Sequence, residues 1–168
     1  VGYSMGGAIA LDFALAYGHR LAAIALVGAG ARMRVAPALL DQVLHDFEAA
    51  TAQMVEYSYA ADTPSVEKER YQHFLREADP HTLYTDLVAC HQFDVTDRLN
   101  TVETPTLIVC GCQDQMVSPE RSRFLHEHIP GSELHLIEQA GHNVMIEQPA
   151  AIAGLFDRFL TQVATPAS

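Results

Sequence analysis

Basic residues are scarce in this sequence. Ten lysines and arginines stand against 21 aspartates and glutamates, which gives a formal net charge of −11 with the histidines neutral. The densest basic spots are two pairs, Arg32 with Arg34 and Arg121 with Arg123. Nucleic acids and anionic membrane surfaces are bound through clustered basic side chains. We therefore expect this protein to bind neither nucleic acid nor a membrane surface.

Long apolar runs are absent as well. No stretch approaches the roughly 20 apolar residues that a membrane-spanning helix needs, and no signal-peptide pattern is present. Apolar residues nevertheless make up 49% of the 168 residues. A chain of this length and composition is sufficient for one domain with its own core. The sequence therefore predicts a single globular domain without a membrane segment.

Cysteine is also rare, with three residues in the chain. Cys110 and Cys112 are two residues apart in an apolar stretch that predicts a strand, so they share a face of that strand. This spacing suits neither a disulfide between them nor a paired metal motif. We interpret these two and Cys90 as buried thiols in a reducing compartment, which predicts a cytoplasmic location.

The apolar segments that are present alternate between helix-like and strand-like patterns. The stretch "MGGAIALDFALAYGHR" is apolar nearly all round and stops at Gly18, which predicts a buried helix ended by a glycine. The stretches "LAAIALVGAG" and "TPTLIVCG" are continuous apolar runs of strand length, as in parallel sheets covered on both faces. A helix followed directly by such a strand is half of a βαβ unit, so we predict an α/β fold.

The last third of the chain continues this pattern. Ser118-Pro119-Glu120 predicts a helix start, and "ELHLIE" alternates like a short strand. The tail "ATPAS" is expected to be frayed. The stretch "QPAAIAGLFDRFLTQV" predicts a final helix that presents on one face Ile152, Leu155, Phe156, Phe159 and Leu160.

A different pattern separates the two apolar strands, from Arg32 to about Phe93. Apolar residues at helical spacing after Pro37, and two further groups around Leu75 and Leu87, predict three amphipathic helices. No strand signal interrupts them. We interpret this segment as a helical insertion between two sheet strands, and a lid over a binding site is one natural use for it.

A candidate nucleophile lies in the opening "GYSMGG". A serine on a sharp turn between strand and helix needs small neighbours two residues before and two residues after it. Gly2 and Gly6 meet that requirement around Ser4. The start of a helix behind Ser4 favours negative charge, and the Met5 backbone N–H lies where an oxyanion would form. The motif predicts an activated serine with Met5 N–H as one oxyanion-hole donor.

Such a serine needs a base, and the base needs an orienting acid. Of nine histidines, His142 alone follows a short strand and a glycine, on a loop just before the final helix. Asp114 lies three residues past Gly111, after the carboxyl end of a predicted strand, where open α/β folds build their sites. Asp94 and Asp97 precede that strand and are interpreted as solvated turn or cap residues. We therefore predict Ser4, His142 and Asp114 as the catalytic residues.

These motifs together resemble the α/β-hydrolase superfamily, whose triad members follow the chain order Ser, Asp, His. The stretches "GYSMGGAIAL", "TPTLIVCGCQD" and "AGHNVMIEQP" are similar to the lid-bearing branch with carboxylesterases, enol-lactonases, C–C bond hydrolases and cofactor-free haloperoxidases. The resemblance implies a partial α/β-hydrolase sheet with an inserted helical lid. It divides the chain into core residues 1–31, lid residues 32–95 and core residues 96–168. It implies neither a metal nor an organic cofactor.

One departure from that family concerns the residues before Ser4. Such hydrolases carry the strands of the other half of the sheet before the nucleophile, together with a His-Gly-type loop that supplies the second oxyanion donor. Here Val1 alone stands for the strand that leads into Ser4, and the chain has no start methionine. We expect the chain to be truncated at its N-terminus, and a missing N-terminal half or a second chain to complete the sheet.

Taken with the resemblance, the sequence predicts a serine hydrolase whose substrate is an ester of a small or medium apolar acyl group. The apolar residues of the helical insertion favour an apolar pocket. Two alternatives remain open at this stage. One is a C–C bond hydrolase or acyltransferase with the same triad, and the other is a non-catalytic fragment that serves as an interaction module.

Overall fold

A computed structural model describes residues 1–164 of the chain. Residues 165–168 lie outside the described part, so the predicted fraying of the tail "ATPAS" concerns residues outside it, apart from Ala164. Within residues 1–164, no helix is both long enough and apolar enough to cross a bilayer.

The core of the fold is a parallel sheet of four strands in the spatial order β1-β2-β3-β4. The strands are β1 (Gly2–Tyr3), β2 (Ile24–Val27), β3 (Thr106–Gly111) and β4 (Glu133–Ile137). Leu26 of β2 pairs with Gly2 on one side and with Ile108 on the other. Every residue of β2 and β3 is buried, as expected for continuous apolar strands covered on both faces. The predicted α/β fold is confirmed.

Helices cover both faces of this sheet because successive strand residues point to opposite sides. On one face, α1 (Met5–Tyr17) and α6 (Pro119–His128) pack on Leu26 and Ile108. On the other face, α8 (Pro149–Ala164) packs on Val27 and Val109. The short helix α7 (Val144–Glu147) connects β4 to α8. These two apolar layers fix the strand ends from which the candidate site is built.

Four α-helices, rather than the three helices predicted, lie between β2 and β3. They are α2 (Pro37–His45), α3 (Phe47–Ser58), α4 (Ser65–Arg76) and α5 (Pro80–Gln92). The predicted first helix is divided at Asp46, whose backbone is non-helical and whose carboxylate accepts the N–H of Ala49 at 3.2 Å. Aspartate competes for backbone N–H groups and favours such a cap. Apolar spacing runs through the break and therefore did not indicate it.

This helical segment, residues 37–92, leaves and rejoins the sheet at one place. Arg32 and Asp94 form an isolated antiparallel bridge, and the Val95 N–H donates to the Ala31 carbonyl at 2.9 Å. Arg32 and Arg34 also approach the Asp94 carboxylate at 3.4 and 3.5 Å. The residues that enter the helical segment and those that leave it therefore lie side by side after the carboxyl end of β2. The segment thus lies next to that edge of the sheet.

Two apolar helix faces are less buried than predicted. In α1, Leu11 and Ala14 are buried, but Ile9, Phe13 and Tyr17 are 62%, 42% and 48% exposed. In α8, Leu160 is 61% exposed although it was expected on the buried face. At 100° per residue, Leu160 lies beyond the stripe that faces the sheet. The exposed face of α1 is broader, and α1 directly follows β1, one of the two edge strands of the described sheet.

Candidate active site

Ser4 lies on a sharp turn between β1 and α1. Its backbone has φ +51° and ψ −118°, a conformation that residues other than glycine rarely adopt and that is often found at functional sites. The Ser4 N–H donates to the Val27 carbonyl at 2.8 Å, and the Ser4 carbonyl accepts the Gly7 N–H at 2.9 Å. The turn is thus held by the sheet on one side and by the helix on the other. It places Ser4 at the carboxyl edge of the sheet.

Small residues around Ser4 are required at positions that only partly match the prediction. A Cβ on Gly2 would overlap with the Gly6 carbonyl oxygen, so Gly2 must be a glycine. A Cβ on Gly6 would meet no atom of residues 1–164 within 4 Å, whereas one on Gly7 would collide with the Ala29 side chain. Within the described residues the expectation for Gly6 is therefore wrong, because Gly7, rather than Gly6, faces Ala29.

Asp114 and His142 form a buried pair at the same edge. Asp114 Oδ2 lies 2.8 Å from His142 Nδ1, and the two side chains are 0% and 3% exposed. The other carboxylate oxygen, Oδ1, accepts the N–H groups of Met116 and Val117 at 2.9 and 2.8 Å. The carboxylate is therefore fixed on both oxygens. Its bond to Nδ1 leaves Nε2 as the ring nitrogen that can exchange a proton with a substrate or a hydroxyl group.

The loops that carry this pair are joined through their backbones. Asp114 follows β3 and His142 follows β4, which are neighbouring parallel strands. The Gln113 N–H donates to the Ala140 carbonyl at 2.8 Å. A Cβ on Gly111 would overlap with the carbonyl oxygens of Ala140 and Gly141. The close approach of the two loops, and hence the meeting of Asp114 with His142, depends on glycine at position 111.

Gly28 lies directly behind the pair and was not predicted as a site residue. It follows β2 with φ +54°, and a Cβ there would lie 3.0 Å from both Nδ1 and Cε1 of His142. A side chain would therefore be strained by its backbone and would also press on the imidazole. The sequence feature that could have indicated Gly28 is its position as a glycine immediately after a buried strand. That loop contains no acidic residue, so it was not predicted to belong to the site.

Tyr3 and Asn143 were missed as well. The Tyr3 and His142 rings have their centroids 4.9 Å apart, and the Tyr3 hydroxyl donates to Asn143 Oδ1 at 2.7 Å. Burial, followed by nearby tyrosine and carboxylate charges, raises the pKa of Tyr3, so this phenol stays a neutral donor. The residue before Ser4 thus contacts both His142 and its neighbour. This contact places the turn of Ser4 beside the histidine loop.

The rival acids and thiols have other surroundings. Asp94 is bound to Arg32, Arg34 and Thr96 near the surface. Cys110 lies 3.9 Å from Asp114 Oδ2, and burial, followed by that carboxylate, raises the pKa of its thiol to about 12. Such a thiol is protonated and a poor nucleophile. Cys112 is only half-buried, so its predicted burial is wrong.

Within residues 1–164 no three His, Cys, Asp or Glu side chains are grouped to hold a metal ion.

Comparison with known proteins identifies the family to which this chain belongs. The family model for serine aminopeptidase S33, Hydrolase_4, matches residues 1–149. A pimeloyl-[acyl-carrier protein] methyl ester esterase from Neisseria meningitidis is 25% identical over 97% of this chain and 69% of its own length. A 2-hydroxy-6-oxo-2,4-heptadienoate hydrolase from Pseudomonas putida is 28% identical over 95% of this chain and 62% of its own length.

A solved structure of a thermophilic esterase is also similar. It is 32% identical with a TM-score of 0.87, over 96% of this chain and 65% of that structure. This chain therefore spans about two thirds of the length of the relatives it matches. The match to the family model over most of the chain agrees with the parallel sheet and with the order of its motifs. The chain belongs to the Hydrolase_4 (serine aminopeptidase, S33) family of the α/β-hydrolase superfamily.

Proposed function

We propose that this protein is a serine hydrolase that cleaves an ester of a small or medium apolar acyl group. Ser4 is the nucleophile, His142 the general base and acid, and Asp114 the residue that orients the imidazole. The observation that carries this proposal is the buried 2.8 Å contact between Asp114 Oδ2 and His142 Nδ1. It lies at the sheet edge where Ser4 occupies its strained turn.

The proposed reaction is acyl transfer in two steps. The Ser4 hydroxyl attacks the ester carbonyl while His142 Nε2 takes its proton, and the oxyanion accepts a hydrogen bond from the Met5 N–H. His142 then protonates the leaving alcohol, and a water molecule hydrolyses the acyl-enzyme by the same route. Asp114 keeps the Nδ1 proton in place and stabilises the imidazolium. None of these steps uses a metal or an organic cofactor.

The helical segment is proposed to act as a lid, with residues 32–95 inserted between core residues 1–31 and 96–168. An apolar cluster lies between this segment and the sheet edge, next to Ser4. It contains Met5, Ala8, Met33, Val35, Cys90, Phe93, Met116 and Val117. Thioether and hydrocarbon side chains favour apolar acyl chains and do not stabilise a charged one. This cluster supports the proposed substrate class.

A second candidate is a C–C bond hydrolase with the same residues. It is favoured by the similarity to the 2-hydroxy-6-oxo-2,4-heptadienoate hydrolase, which is 28% identical to this chain. Both reactions need an activated nucleophile and an oxyanion hole, so the residues around Ser4 fit either one. The group that leaves the carbonyl carbon distinguishes them.

The two candidates are separated by substrate assays on the intact protein. We expect hydrolysis of p-nitrophenyl esters with short and medium acyl chains, and slower hydrolysis of esters with long chains or charged acyl groups. A 2-hydroxy-6-oxo-dienoate is the matched substrate for the alternative. Turnover of that compound without ester hydrolysis would support the second candidate, and turnover of neither would contradict both.

We also propose that a further polypeptide segment, from the same protein or a second chain, covers the outer edge of β1 and the exposed face of α1. Ile9, Phe13 and Tyr17 are exposed there, and a groove of about 470 Å³ lies between α1 and α5. Exposed apolar faces and open sheet edges recruit partners or aggregate. The relatives are about one and a half times as long as this chain, which is consistent with additional strands in that place.

Residues 1–168 expressed alone are therefore expected to associate or aggregate, and to hydrolyse esters poorly. Loss of one oxyanion-hole donor costs roughly a hundred- to a thousandfold in rate, and the proposed segment would supply the second donor. The measurements are solution mass by light scattering and ester hydrolysis. Polar substitution of the exposed face of α1, Ile9→Ser with Phe13→Ser, should reduce association. The control Val66→Ser, at an exposed apolar residue of α4, should not. A stable monomer with ordinary activity would overturn the proposal.

A further inference from the structure

Glu147 joins the histidine loop to the helical segment. Its Oε2 accepts the Gly141 N–H at 2.7 Å, and Gly141 directly precedes His142. Its Oε1 accepts the Ala60 N–H at 2.8 Å and the Thr63 hydroxyl at 2.6 Å. Ala60 and Thr63 lie in the connection between α3 and α4. One carboxylate therefore bridges two parts of the chain that are more than 80 residues apart in sequence.

Backbone contacts reinforce this bridge on both sides of His142. The Asn143 N–H donates to the Ser58 carbonyl at 3.0 Å. A Cβ on Gly141 would lie 2.7 Å from the Tyr59 carbonyl carbon and 2.8 Å from the Ala60 nitrogen. The residues before and after His142 are thus both in direct contact with residues 58–60. His142 itself is held between them.

All three groups bound by Glu147 are hydrogen-bond donors. An ionised carboxylate accepts on both oxygens and satisfies them at once. A glutamine has the same shape but carries one NH₂ group, which would face a donor on either the Gly141 side or the Ala60 and Thr63 side. The site therefore specifies a carboxylate rather than a polar side chain in general.

We propose that Glu147 is a positioning residue that couples the placement of residues 58–63 to the placement of His142. The inference rests on the proposed role of His142 in catalysis. Displacement of the α3–α4 connection from the sheet edge would pull on Gly141 and Asn143 and so move the imidazole. His142 is then correctly placed for proton transfer only while residues 58–63 stay packed against the sheet edge.

The first test is Glu147→Gln in the intact protein, with Glu133→Gln as the matched control. Glu133 is a partly exposed residue of β4 whose carboxylate lies 3.8 Å from His135 Nε2. In Glu147→Gln we expect amide hydrogen exchange to accelerate both in residues 58–63 and in residues 140–143. We expect kcat to fall by about ten- to a hundredfold with little change in KM, since small misplacements of a catalytic group have costs of this order.

A second variant, Thr63→Val, tests the coupling itself. It removes one contact on the helical side and leaves the Gly141 bond to Glu147 in place. We expect faster exchange at residues 58–63, together with a smaller increase at residues 140–143 and a smaller loss of kcat. Faster exchange confined to residues 58–63, with kcat unchanged, would overturn the coupling. So would a Glu147→Gln variant in which residues 140–143 keep their protection.

The exchange measurement does not depend on catalysis. If neither the parent protein nor the variants hydrolyse any ester, the proposed function fails while the coupling is still decided by protection at residues 140–143. If Ser4→Ala shows normal activity but the exchange results are as expected, the two segments are coupled and the catalytic assignment is wrong. The two proposals therefore fail separately.

Discussion

Replacing Ser4 by alanine is expected to abolish labelling by a fluorophosphonate probe and to lower kcat by about a millionfold, as in other serine hydrolases that lose the nucleophile. The reason is that the proposed acyl-enzyme forms on the Ser4 hydroxyl, which alanine lacks. Cys110 is buried, and the pKa of its thiol is raised to about 12. The measurements are probe labelling followed on a gel and single-turnover ester hydrolysis.

The folded structure should be unaffected by this substitution. The Ser4 side chain makes no capping hydrogen bond to α1, and alanine faces the same backbone strain at φ +51° that serine does. The unfolding temperature is therefore expected to stay within a few degrees of that of the parent protein. Ser65→Ala, at an exposed serine at the start of α4, is the matched control. Undiminished labelling of the Ser4→Ala protein would place the nucleophile elsewhere.

Asp114→Asn is expected to lower kcat by about ten thousandfold, the effect of the comparable change in a serine protease triad. Asparagine can keep the acceptor that binds the Met116 and Val117 N–H groups. It then turns its NH₂ group toward His142 Nδ1, where the carboxylate oxygen lies 2.8 Å away in the parent protein. The imidazole would have to accept at Nδ1 and carry its proton on Nε2, which is the wrong tautomer for a general base.

The matched control is Asp94→Asn, which removes a carboxylate that pairs with Arg32 and Arg34 at the surface. Exposed ion pairs contribute little to stability because solvent screens them, so this variant should keep its activity and nearly all of its stability. Ester hydrolysis by both variants, with circular dichroism to verify folding, decides between the acids. A large loss in Asp94→Asn together with normal turnover in Asp114→Asn would contradict the assignment.

Local pattern was sufficient to predict much of the fold. "LAAIALVGAG" and "TPTLIVCG" contain β2 and β3, and both strands are buried on both faces as their continuous apolar composition indicates. The apolar pattern failed to predict two features of the helices. Asp46 capped a new helix inside an uninterrupted apolar spacing, and Leu160 lay outside the stripe of α8 that faces the sheet.

The candidate site was only partly accessible to the same reasoning. Asp114 was predicted because it follows the carboxyl end of a strand, and His142 because it follows a short strand and a glycine just before the final helix. The structure brings these two side chains together. The requirement for a small residue after Ser4 was assigned to Gly6, whereas Gly7 is the residue that packs against Ala29. That difference depends on how α1 packs against the residues that follow β2, which no spacing in the motif encodes.

The sequence by itself determined most local conformations of this protein: which long apolar runs are strands, where most of the helices lie, and the order of serine, acid and histidine along the chain. These follow from interactions within a few residues, where apolar period, capping groups and glycine act directly. Only the tertiary structure decided that Gly28 lies behind the imidazole, that Tyr3 packs against it, and that Glu147 joins its loop to residues 60 and 63. Such contacts join residues far apart in the chain, and they are set by how whole strands and helices pack rather than by any local preference.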